Sequence, residues 1–123
     1  MKRMLVALAV LGMAGCFMQP VSTPTQAFEM DDGGIKDAWG RAQSWVALNS
    51  KLKIQTATDY LIETYGPQAS EGNINIFAYQ IVRTPLGGSR SKITVTCVPA
   101  NPYEHDAAQR TADQLARYIQ TGQ

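Results

Sequence analysis

Four groups of residues in this chain could do chemistry: His105, the two cysteines Cys16 and Cys97, the run Asp31-Asp32-Gly33-Gly34, and the run Gly87-Gly88-Ser89-Arg90. Each is one part of a template whose other parts are missing. A serine nucleophile needs a positioned histidine. Gly87-Gly88-Ser89 is not the strand-turn-helix elbow that presents such a serine, and His105 stands in a Pro-flanked polar segment where it should begin a helix in solvent. A thiol nucleophile needs a base and electropositive surroundings. Cys97 instead alternates in phase with Ile93 and Val95, which predicts a buried, inert thiol. The paired aspartates lack the spacing of a calcium loop and read as the entry turn of a helix. The glycine pair before Ser89 and Arg90 has no helix behind it to offer amide donors to an anion, so a hairpin turn accounts for it. Asp59 and Glu63 are surface carboxylates with no inferable apolar pocket to shift them. The expectation is a protein that is not an enzyme and needs no cofactor or metal.

Composition agrees with that expectation. The 123 residues are 45% hydrophobic, 17% charged and 8% aromatic, which suits one globular domain rather than a disordered tail or a multi-span membrane protein. Eleven basic residues stand against ten acidic ones, so no polyanion, and no nucleic acid, is expected as partner.

The N-terminus is the most specific part of the sequence. Lys2 and Arg3 precede a run from Met4 to Met18 without a charge, ended by Gln19 and Pro20. The run is shorter than the roughly 20 apolar residues of a spanning helix and has the form of a secretory signal. Its end, Met13-Ala14-Gly15-Cys16, resembles the lipobox of bacterial lipoproteins, with Met13 in place of the usual leucine. That resemblance implies cleavage between Gly15 and Cys16 and lipidation of Cys16, giving membrane attachment. Phe17, rather than the aspartate that tends to retain such proteins at the inner membrane, implies the outer membrane, facing the periplasm. Removing residues 1–15 takes away Lys2 and Arg3 and turns the formal charge from +1 to about −1. The alternative is ordinary signal cleavage after Thr25-Gln26-Ala27, releasing a soluble periplasmic module that starts at Phe28. If Cys16 is acylated, Cys97 has no partner within the chain for a disulfide.

Residues 16–26 are expected to be the lipidated cysteine and a tether, FMQPVSTPTQ, reaching roughly 30 Å when extended. A folded domain should occupy 27–123. Ile35, Ala38, Trp39, Ala42, Trp45 and Val46 recur at helical spacing and predict an amphipathic helix to Leu48, with both tryptophans in the core. Alternation then predicts four strands: Leu52 to Ala57, Tyr60 to Tyr65, a central one from Ile74 to Thr84, and one around Lys92 to Cys97. Pro85 to Ser89 is the expected turn between the last two. A second helix from about Tyr103 to Thr121 follows, with Gly122 as its C-terminal cap. Phe28 and Met30 alternate with Glu29 as a candidate short fifth strand. The expected fold is α+β, one antiparallel sheet with both helices packed on one face.

This order, with AWGRAQSW followed by LKIQTATDYLIETYG, an alternating hairpin and a closing helix, resembles uncharacterised TATA-binding-protein-like domains of small bacterial envelope lipoproteins. It is also similar, more weakly, to the helix-grip domains of the outer-membrane assembly lipoprotein BamC. Neither likeness carries a catalytic signature, and fold alone assigns no function. If the helices cover one sheet face, Lys51, Lys53, Lys92, Thr94 and Thr96 fall on the other, and Tyr65 and Tyr79 are expected to join them. Lys53, Tyr65, Tyr79 and Lys92 are thus the candidate interaction face, fitted to an acidic envelope protein, lipid headgroups or a second copy of the chain. The plainer reading is that the lysines keep an open face soluble.

Overall fold

The computed structural model describes residues 23–67 and 74–123. The signal-like run, Gly15, Cys16 and most of the tether lie outside the described residues, as does part of the loop after Gly66. Within them the order is β1 (Thr25–Asp31), α1 (Ile35–Asn49), β2 (Ile54–Ala57), β3 (Leu61–Thr64), β4 (Phe77–Gly87), β5 (Arg90–Pro99) and α2 (His105–Thr121), with single 3-10 turns at Asp32–Gly34 and Pro102–Glu104 leading into the helices. The fold is α+β: one antiparallel sheet of five strands in the order β1-β5-β4-β3-β2, with two helices over one face.

β1 is a full edge strand rather than a short one. All seven of its residues pair with β5, from Thr25 opposite Thr96 to Asp31 opposite Arg90, and the Pro24 carbonyl accepts the Cys97 amide. The tether therefore stops before Pro24, not at Gln26. Gln26 and Ala27 have little strand propensity of their own, and the edge of β5 supplies the pairing that holds them. The β4–β5 turn is also tighter than Pro85 to Ser89. β4 runs on to Gly87, leaving Gly88 and Ser89 as the turn, with positive φ at Gly87, Gly88 and Ser89. Pro85 is tolerated in a central strand because β3 pairs only as far as Val82, so the proline faces no ladder on that side. In β2 a bulge at Gln55 puts Thr56 across from Glu63, on the open face, instead of in line with Ile54.

The core lies between the covered face and the helices. Ile62 of β3, Tyr79 and Ile81 of β4, and Ile93, Val95 and Cys97 of β5 meet Ile35, Trp39 and Val46 of α1 and Leu115 and Ile119 of α2. Ala38, Ala42, Ala108, Ala112 and Ala116 are buried too, small side chains that let two helices approach each other and the sheet closely. Two contacts fix the helices at their ends. Trp39 Nε1 donates to the Thr58 carbonyl at 2.8 Å, pinning α1 to the β2–β3 turn. Arg41 donates to the Tyr118 and Ile119 carbonyls in the last turn of α2, and Gly122, at φ 81°, closes that turn by donating its amide to the Tyr118 carbonyl. No helix among the described residues is long and apolar enough to cross a membrane.

Candidate interaction face

The register defines the open face. Its rows run from Thr25, Ala27, Glu29 and Asp31 of β1, through Lys92, Thr94 and Thr96 of β5 and Gln80 and Val82 of β4, to Leu61 and Glu63 of β3. This is not the basic surface expected. Arg90 is salt-bridged to Asp31 at 2.8 Å and lies 3.9 Å from Glu29, Lys92 sits directly across from Glu29, and Gln80 Nε2 donates to Glu63 at 3.0 Å. The sequence separates Glu29 and Asp31 from Arg90 and Lys92 by some sixty positions, so only the β1–β5 register shows that they alternate. A shallow depression of about 290 Å³ lies at one end of this face, lined by Gln55, Glu63, Gly66, Gln80, Thr96 and Val98.

The four candidate residues do not share one surface. The Lys53 carbonyl accepts the Tyr65 amide at 3.0 Å, so those two, both exposed, sit side by side at the sheet end where β2 begins. Lys92 is exposed at the opposite end, three residues past the hairpin turn. Tyr79 is not on the open face at all: it is 5% exposed and pairs in register with Cys97 on the covered side. The physical reason is its phase in β4, where it alternates with Ala78 and Gln80 and shares its side with Ile81. There it meets Trp45 edge to face, with centroids 5.3 Å apart. Burial, with the neighbouring Cys97 as a smaller cause, pushes its phenol well above the usual tyrosine value. Burial likewise pushes the Cys97 thiol up to about 12, so it stays protonated and inert, the behaviour its strand phase predicts.

One constellation escaped the sequence reading. Arg83 continues the inward phase of Tyr79 and Ile81, so its guanidinium points under α1 with its side chain 16% exposed. Its Nε donates to Ser91 Oγ at 3.1 Å, Ser91 Oγ donates to Asp32 Oδ1 at 2.6 Å, and Arg83 Nη2 lies 3.6 Å from the same carboxylate. The guanidinium also stacks over Tyr60 at 5.0 Å. The signal was present: a charged residue in phase with a strand's buried positions needs partners there. What those partners were depended on the chain folding back. Ser91 is fully buried with both hydroxyl roles used, so the cluster has no free nucleophile to offer. Beside it a depression of about 330 Å³ is lined by Ile35, Lys36, Trp39, Gln43, Asp59 and Arg83.

The chain matches no protein-family model and no curated protein. The remaining sequence candidates resolve as local structure. Asp31 and Asp32 are committed to Arg90 and to Ser91, and their run forms the entry turn to α1. Gly87 and Gly88 form the hairpin. His105 is the first residue of α2, half-buried, with Nδ1 3.7 Å from Asp106. Cys16 and Gly15 lie outside the described residues.

Proposed function

We propose that this chain is a bacterial envelope lipoprotein, lipidated on Cys16, whose folded part works by binding and not by catalysis. One observation carries the reading: Lys2 and Arg3, an uncharged run to Met18, and Ala14-Gly15 immediately before Cys16. Cleavage before Cys16 and transfer of a diacylglyceryl group to its sulfur, with an acyl chain on the new amine, would give a multi-chain anchor. One chain holds a protein only reversibly; two or more hold it stably. The outer membrane, facing the periplasm, is the favoured site because Phe17 and not aspartate follows the cysteine. The domain itself is proposed to be of the TATA-binding-protein-like kind found in such lipoproteins, acting as an accessory module toward an envelope partner.

One structural fact supports this over release of a soluble module. Cleavage after Ala27 would cut through β1, removing the residues that pair with Thr94, Val95 and Thr96 and those that bond Gln109 and Asp113 of α2. In a Gram-negative host fed an alkyne fatty acid, the wild-type chain should take up the label and Cys16→Ser should not. Label on neither would remove the anchor from the account.

A further inference from the structure

The described exposed apolar side chains are unevenly placed. Strand register divides the sheet into two ends: the end where the chain enters at Pro24, and the end of the β4–β5 hairpin. The entry end holds the beginning of β2 and β4, the finish of β3 and β5, the C-terminus of α1 and the N-terminus of α2. Of the seven exposed large apolar residues among those described, five are at that end: Leu48, Tyr65, Ile74, Val98 and Tyr103. Leu48 is 83% exposed and Tyr103 91%, far beyond what packing within the domain would leave open. Scattered exposed apolar residues are ordinary, but a set gathered at one end is a contact surface. Lys51 and Lys53 stand among them, long side chains with no described ion-pair partner, while the carboxylate of Glu104 is taken up by the Asn75 amide.

We infer that this entry end rests on the bilayer surface in which Cys16 is anchored, with Tyr65 and Tyr103 at headgroup depth. The inference rests on the lipid anchor proposed above. The length of chain decides the occupant. Pro24 is already fixed to β5, so only residues 17–23 can bridge the lipidated cysteine and the domain, at most about 25 Å when fully extended. Pro24 lies at the entry end of a sheet only about 19 Å wide, so a tether of this length keeps that end surface within reach of the bilayer. Tyrosine suits that depth, with its ring among acyl chains and its hydroxyl in water, and lysine reaches phosphate along an apolar stem. Asp106, exposed on the first turn of α2, offsets part of the lysine charge. The contact is therefore chiefly apolar and weakly dependent on salt.

The test uses the full lipidated chain in vesicles of phosphatidylethanolamine and phosphatidylglycerol. A nitroxide is placed at Leu48→Cys on the entry end or at Leu86→Cys on the hairpin end, since Cys97 is buried and Cys16 acylated. Intact mass first establishes acylation. The label at 48 should be about fivefold less accessible to a water-soluble nickel chelate than the label at 86, and Tyr65→Ser with Tyr103→Ser should abolish the difference. Equal accessibility in an acylated protein overturns the docking while leaving the anchor intact. A protein that carries no acyl group overturns both. Protection at 48 that disappears when protein is diluted in lipid identifies a second copy as the occupant and also overturns the proposal.

Discussion

The hairpin end and the entry end of the sheet use charge in opposite ways. At the hairpin end three arginines are committed to the fold: Arg83 to Ser91, Asp32 and the Tyr60 ring, Arg41 to the last carbonyls of α2, and Arg90 to Asp31. At the entry end Asn101 accepts the Tyr103 amide at the start of the turn into α2, Glu104 accepts the amide of Asn75 in the loop before β4, and Lys51 and Lys53 have no described ion-pair partner. Arginine's planar fork serves several acceptors at once, whereas lysine's point charge stays hydrated. The difference teaches that one end is built to close the domain and the other is spare for contact.

The contrast can be broken by mutation. Arg83→Ala should cost about 2 kcal/mol in urea unfolding, since it strips Ser91 and Asp32 of a charged donor in a largely buried place. A loss below about 0.5 kcal/mol would show the cluster to be ornamental. Gly122→Ala forces an alanine into a left-handed position against Arg41 and should cost about 1 kcal/mol, read as faster amide exchange in the last turn of α2. Tyr103→Ser, at the entry end, should change stability by less than about 0.5 kcal/mol while altering membrane contact.

A pH titration sharpens the same contrast from the core. The Cys97 thiol has a folded value of about 12 against an ordinary 9.0, so the folded state favours the protonated form. Stability from this group is complete below pH 9 and falls as pH rises from 9 toward 12, while the unfolded thiol ionises first. Cys97→Ala should flatten part of that decline in alkaline urea titrations, and the native thiol should resist a disulfide reagent at pH 8.

Much of the fold was legible because its signals are local. The stripe Ile35, Ala38, Trp39, Ala42, Val46 and the alternation Ile93, Val95, Cys97 each specify which side is buried, and both are buried as spaced. Tyr79 was legible too: its phase with Ile81 places it inward, and assigning it to the open face set residue type above register. The length of β1, the bulge at Gln55 and the charge alternation of the open face were not legible, because each is decided by a partner strand far away in sequence. The Arg83 cluster falls between: the charge in an inward phase is visible, its partners are not.

The central claim is the anchor on Cys16, and the intact mass of the chain purified from membranes tests it most directly. The account predicts a chain beginning at Cys16 and heavier than its sequence by a diacylglyceryl group and an acyl chain. An unmodified chain beginning at Phe28 would contradict it.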